Sequence, residues 1–246
     1  MVFGIIGYGR FGRLWADTLA QFGIVHVYDP MIHHTKHDHV MMTDLDTVCQ
    51  VDILFILVPI SRFERVCNDI VDRLSSHTMV VDACSVKVYP VEIMSRVLPP
   101  DQILIATHPL FGPDSVARDG LVGQHIMVYP VRAKQEQYDV IEQLFDAMQL
   151  QIIHATPDEH DRQMARSQAL VHFLGRGLHA LDLEEQVLST PDYTSLLHID
   201  GLVNNDTWEL FYDMQMYNPY ASYMRSGLLE TLQRLDKEIS KRRDER

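Results

Sequence analysis

Val2-Phe3-Gly4-Ile5-Ile6-Gly7-Tyr8-Gly9-Arg10-Phe11-Gly12 runs an apolar stretch into a G-x-G-x-x-G loop, and an amphipathic stretch over 11–22 follows. That order predicts a strand, a tight turn and a helix, the opening of a dinucleotide-binding βαβ unit. Glycines there let the backbone approach a pyrophosphate, and the helix N-terminus offers free N–H groups to the anion. A second apolar run over 24–28 ends in Asp29. A carboxylate about 20 residues beyond the loop accepts a ribose 2′-hydroxyl and repels a 2′-phosphate. The expected cofactor-binding set is Gly7, Tyr8, Gly9, Arg10, Phe11, Gly12 and Asp29, joined by Val58 and Pro59 where the run 52–58 closes. NAD is expected, with NADP kept open by Lys36 and the histidines around it. Those histidines (His33, His34, His37, His39) have no cysteine and only Asp38 among them. They read as a solvated loop near the adenosine end, and no metal site is expected.

Working outward, further apolar runs at 79–82, 103–107, 126–129 and 151–154 alternate with amphipathic stretches at 62–74 and 135–148. This alternation predicts a parallel sheet covered on both faces. After Thr156 no stretch reads as a strand, and the period becomes that of a helix through Ile239. Thr156-Pro157-Asp158-Glu159 is a helix start, with proline in the first turn and acids beside it. The expected architecture is α/β: a Rossmann-type nucleotide-binding domain over 1–155, then an all-α dimerisation domain over 156–246. About 90 helical residues make a small core alone, so a homodimer through that half is expected.

The chain has 246 residues and a net charge of −13, with 46% hydrophobic and 22% charged residues. This is globular composition, and the acidic balance disfavours nucleic acid and anionic membranes as partners. Three cysteines make no disulfide framework, and no apolar run is long enough to span a bilayer, so a cytoplasmic protein is expected.

Two more segments close predicted strands, where open α/β sheets place their ligands. They are Asp82-Ala83-Cys84-Ser85-Val86-Lys87 and Thr107-His108-Pro109-Leu110-Phe111-Gly112-Pro113. Pro109 holds His108 extended, and an imidazole there suits proton uptake beside a hydride transfer. Ser85 could orient the histidine or a substrate hydroxyl. In the helical half, a helix over 157–184 would carry Leu170, Phe173, Leu174, Leu178 and Leu181 on one face. Asp161, Gln168, His172, Arg176 and His179 fall on another, either as a solvated stripe or as a cleft lining. In the latter case Arg176 suits a carboxylate and Asp161 an ammonium group.

These segments, with Glu159-His160-Asp161-Arg162, Ser167-Gln168, His172, Gly175-Arg176 and Met216-Tyr217-Asn218, resemble the prephenate/arogenate dehydrogenases of tyrosine biosynthesis, particularly the plant-type arogenate dehydrogenases. The resemblance implies oxidative decarboxylation of arogenate to tyrosine, with hydride passed to NAD(P). The alternatives are prephenate as substrate, or another small acid. It implies that His108 accepts the ring-hydroxyl proton, that Ser85 assists, and that Gln168 and His172 line the substrate cleft. Two features depart from the family. No arginine lies between Arg176 and Arg225, where Leu202 or its neighbours occupy the region of a substrate-gripping arginine, so Arg176, Arg162 or Lys87 is left as the candidate cation. Asp29 is also unlike the NADP-preferring plant enzymes.

Overall fold

The computed structural model describes residues 1–35 and 38–245. Lys36 and His37 lie outside them, as do the side chains of Asp200 and of residues 202–204, so the Leu202 side chain is not described. The chain divides into two compact units, Met1–His160 and Asp161–Arg246.

The first unit is a doubly wound sheet. Its elements are β1 (Val2–Ile6), α1 (Arg10–Leu19), β2 (Ile24–Tyr28), β3 (Val40–Met42), α2 (Leu45–Val48), β4 (Ile53–Ile56), α3 (Ile60–Ile70), β5 (Met79–Asp82) and α4 (Val88–Val97). β6 (Ile103–Pro109), α5 (Pro113–Asp119), β7 (His125–Arg132), α6 (Gln135–Ala147) and β8 (Gln151–His154) follow. The strand order is β3-β2-β1-β4-β5-β6-β7-β8. The order reverses at β1, so the crevice beside Gly7 is the switch point at which such sheets bind ligands.

Two features differ from the expected all-parallel sheet. β7 runs antiparallel to β6, with a register irregularity at Leu104/Ile105. An apolar run does not encode its own direction, and Ile126, Met127 and Val128 are as buried as any parallel strand. β3 was not anticipated, because three residues in a polar stretch carry no readable period.

The core has Trp15 at its centre. Its ring stacks on Phe11 with centroids 5.6 Å apart and meets Phe55 edge-on at 5.6 Å. Phe3, Ile5, Val81, Ile105 and Phe145 complete the same cluster. Each such side chain contributes roughly 1.5–3 kcal/mol by burial. Phe111 joins from the loop after β6, with its ring 6.3 Å from both Phe11 and Trp15. The segment that follows His108 is thereby fastened to the helix that follows the glycine loop.

The second unit is helical. α7 (Pro157–Met164) leads through a π-turn (Ala165–Ala169) into α8 (Leu170–His179), and α9 (Pro191–Asn204), α10 (Trp208–Tyr217) and α11 (Ala221–Asp244) follow. The single helix expected over 157–184 is therefore interrupted and ends early. The π-turn adds a residue to one turn, which rotates every later side chain away from a 100° wheel. Asp161, Ala165, Ala169, Gly175 and Arg176 are buried, while Leu170, Phe173, Leu174 and Leu178 are half-buried and Leu181 is 66% exposed. Gln215 Nε2 donates to Ala169 O at 2.6 Å and Asn218 Nδ2 to Asp161 O at 2.9 Å. α10 and its C-cap thereby tie down α7 and the π-turn, satisfying carbonyls that the irregular turn frees. Among the described residues, no helix is long and apolar enough to cross a membrane.

Candidate active site

The expected site residues of the first unit gather at one edge of the sheet. β2, β1, β4, β5 and β6 run parallel, so their carboxyl ends share that edge. They present Asp29, the glycine loop, Val58–Pro59, the Ser85 loop and His108, in that spatial order.

The glycine loop is built for close approach. Gly7 has φ +102°, and a Cβ on it would lie 2.4 Å from Leu57 O. A Cβ on Gly12 would lie 2.2 Å from Gly7 O, so α1 sits against the loop as only glycine allows. Gly9 is different: a Cβ there would meet nothing within 4 Å, leaving an open cradle at the N-cap of α1. No side chain caps that terminus, and its first turn holds no acid. A cradle floored by uncapped N–H groups fits a pyrophosphate.

Asp29 is more heavily engaged than its position suggests. Its Oδ2 accepts from Tyr8 N at 2.8 Å, and its Oδ1 accepts from Met31 N at 2.8 Å and Ile32 N at 3.1 Å. A carboxylate has about four acceptor sites, so one remains for a ribose hydroxyl. Arg10 pairs with Asp114 at 2.6 Å on the surface. Tyr8 is buried, with Arg13 4.6 Å over its ring. Val58 and Pro59 are half-buried beside Gly7. His33, His34 and His39 are exposed.

On the other side of the crevice, His108 is the penultimate residue of β6 and 4% exposed. Its Nδ1 lies 2.8 Å from Nε2 of His160, which is 3% exposed. Burial pushes the His108 imidazole well below its ordinary value of 6.5, and the neighbouring His160 and Lys87 act in the same direction. The group is held as a neutral base. Ser85 Oγ is buried and has no hydrogen-bond partner, and such an orphan is costly unless a ligand meets it.

Lys87 is placed otherwise than expected. It is fully buried, and its ammonium is held by the Asp82 carboxylate and the Thr107 carbonyl. A cation so enclosed is a brace between β5 and β6 and presents no charge to a substrate carboxylate. Burial raises the Asp82 carboxyl above its usual range, with the Lys87 charge opposing.

In the second unit, Asp161 is 0% exposed. It occupies the buried side of α7, where Asn218 holds its carbonyl. Gln168 is half-buried on the π-turn. His172 Nε2 lies 3.8 Å from Asp206 Oδ2, and burial lowers this imidazole below its ordinary value. Arg176 stacks 4.3 Å over Trp208 and donates to Asp206 O, while its Nε has no partner. Arg162 lies 5.1 Å over the Tyr220 ring.

The residue that sequence reasoning missed is His160. It sat in view within Glu159-His160-Asp161-Arg162, but its relation to His108 spans 52 positions, which no local pattern reveals.

Comparison with known proteins accords with this geometry. Residues 34–154 match the model described as prephenate dehydrogenase, nucleotide-binding domain. The chain is 28% identical over 94% of its length to arogenate dehydrogenase 2, chloroplastic, of Arabidopsis thaliana. By these matches the chain is similar to the prephenate/arogenate dehydrogenase family. Another relative, the probable arogenate/prephenate dehydrogenase of Methanocaldococcus jannaschii, is 26% identical over 78% of the chain. The chain spans 66% of the first of these relatives and 44% of the second. Residues 177–246 also match a model described as TYRAAT1-like, C-terminal domain. Solved structures of this fold include prephenate dehydrogenase from A. aeolicus in complex with hydroxyphenyl propionate and NAD+, at TM-score 0.75, 15% identity, and coverage of 99% of this chain and 92% of that one. Synechocystis arogenate dehydrogenase gives TM-score 0.68 at 19% identity, with 98% and 91% covered. The prephenate/arogenate dehydrogenase model starts at residue 34 and so omits the glycine loop, whose reading rests on its own geometry.

Proposed function

We propose that this protein oxidatively decarboxylates arogenate to tyrosine with NAD as acceptor. The observation that carries the reading is the shared sheet edge: an open glycine cradle at Gly9 and a buried imidazole at His108 lie at the carboxyl ends of strands of one sheet. The bound nicotinamide supplies the hydride acceptor. Gly7, Tyr8, Gly9, Arg10, Phe11, Gly12, Asp29, Val58 and Pro59 hold the cofactor. His108 uses Nε2 to take the proton of the ring hydroxyl, because its Nδ1 is engaged by His160. Ser85 Oγ, without a partner among the described residues, hydrogen-bonds the substrate hydroxyl or the cofactor amide. With the hydroxyl proton and the hydride removed, the ring carboxylate departs as carbon dioxide and the ring becomes aromatic.

Lys87 is enclosed, which leaves Arg176 or Arg162 for the substrate carboxylate, with Gln168 and His172 as further contacts. Arogenate is favoured over prephenate by the likeness to the Arabidopsis relative and by the lack of an arginine between Arg176 and Arg225. The working form is a homodimer through the helical unit. That unit exposes Leu229, Leu232, Leu235 and Ile239 of α11 at 47–69%. Three buried free cysteines suit a reducing compartment, the cytoplasm in this reading.

His108→Asn tests the assignment of the base. The rate should fall by roughly two to four orders of magnitude with NAD affinity retained. A rate within tenfold of wild type would remove His108 from the chemistry.

A further inference from the structure

His108 is a base only if the right nitrogen carries its proton. A neutral imidazole has one N–H and one lone pair, and a hydrogen bond at one nitrogen decides which is which. Here the contact is Nδ1 of His108 to Nε2 of His160, at 2.8 Å, with the rings edge-to-face and centroids 5.0 Å apart. Two arrangements satisfy it. If His160 donates, His108 carries its proton on Nε2 and has no lone pair there. If His108 donates, Nε2 is bare and aimed away from His160.

We propose that His160 is the positioning residue of the site: it accepts the His108 Nδ1–H, fixes the tautomer with a bare Nε2, and keeps accepting that N–H once His108 has gained the substrate proton. This rests on the dehydrogenase reading above.

His108 can take a proton at Nε2 only if its N–H sits on Nδ1, and His160 Nε2, the group at hydrogen-bond distance from Nδ1, must then accept it. His160 lies in the first turns of α7. Its position is fixed by a capping box: Thr156 N donates to Glu159 Oε2 at 2.9 Å, and Glu159 N donates to Thr156 Oγ1 at 3.3 Å. His160 N then bonds Thr156 O at 2.9 Å, so the backbone beneath the ring is settled before any ligand arrives. Lys87, itself paired with Asp82, also acts on His108, and a cation there favours a neutral His108. In the reaction, the hydroxyl proton goes to His108 Nε2, the Nδ1–H stays between the rings, and the imidazolium is stabilised by a neutral acceptor instead of meeting a second charge. The logic is that of a base oriented by a third group, with an imidazole standing where other enzymes place a carboxylate.

The test compares His160→Leu, which removes the acceptor, with His160→Gln, whose amide oxygen can still accept Nδ1–H. Nitrogen-15 imidazole spectra of the protein without substrate report the His108 tautomer directly. Wild type and His160→Gln should show His108 protonated at Nδ1, and His160→Leu should lose that preference. Activity should follow: kcat falls roughly 10–100-fold in His160→Leu, as when a partner that orients an imidazole is lost. In His160→Gln it recovers to within a few-fold, with NAD affinity unchanged throughout. A His108 protonated at Nε2 in wild type would overturn the proposal, as would a His160→Leu protein that keeps both tautomer and kcat. Should His160→Leu fail to fold, a His160→Gln protein with wild-type tautomer but no recovery of kcat would also overturn it. The spectra need no substrate, so they stand apart from the dehydrogenase reading. An absence of turnover on every cyclohexadienyl substrate beside an intact Nδ1–H tautomer would fault that reading and leave the pair in place.

Discussion

Lys87 and Asp82 form an ion pair with both side chains 0% exposed, directly behind the strand that carries His108. The same ammonium holds the carbonyl of Thr107, and Thr107 Oγ1 donates to Asp82 O at 2.6 Å. The residue before His108 is thus tied at two points to the end of β5. Breaking a buried pair by removing one partner strands the other charge, at about 3–5 kcal/mol. Lys87→Met should lower the unfolding free energy by that amount in a urea titration. A loss under about 1 kcal/mol would mean that the pair is not a brace.

The neutral state of His108 sets a pH dependence. Burial holds its folded value well below 6.5, so the base stays competent into mildly acidic solution, and the acid limb of kcat/KM should fall below pH 6.5. Stability follows the same direction. The unfolded imidazole binds its proton near 6.5 and the folded one does not, so this contribution is complete above 6.5 and is lost as pH falls through and below it. Urea midpoints measured from pH 8 to pH 5 should decline, and less steeply in His108→Asn. An acid limb at or above 6.5 would contradict the burial argument.

Asp29 has two duties. It accepts three backbone N–H groups, and in the proposed function it also accepts a ribose hydroxyl. Asp29→Ala should cost about 1 kcal/mol in stability, because the part-buried Tyr8 and Ile32 amides lose their acceptor. Asp29→Asn keeps part of the turn and removes the charge. Its ratio of NADP to NAD affinity should rise at least about tenfold, since the repulsion of a 2′-phosphate is gone. An unchanged ratio in direct titration would show that Asp29 serves the turn alone.

The exposed leucines of α11 bear on assembly. Light scattering of the purified protein should give twice the chain mass, and Leu232→Glu combined with Leu235→Glu should give the monomer. A wild-type monomer at micromolar concentration would remove the dimer from the account.

Where local chemistry dictates structure, the chain was readable. Gly7 and Gly12 announce a turn that no side chain could enter, and the edge they lie on follows from alternating apolar runs. Pro109 similarly marks the extended segment at His108. What depends on packing was not readable. Lys87 reads as a free cation until β6 is laid beside β5, and the sequence does not show that Asp161 is buried. The π-turn over Ala165–Ala169 defeats any fixed angular wheel, so one apolar face running from Leu170 to Leu181 does not describe this segment. His160 carries no signal of its own, because its role is a distance to a residue in another element.

The most direct test of the central claim is a four-way rate assay, with arogenate and prephenate each offered with NAD and with NADP and reduced nicotinamide followed. The account predicts the highest kcat/KM for arogenate with NAD. Absence of turnover in all four combinations would contradict it.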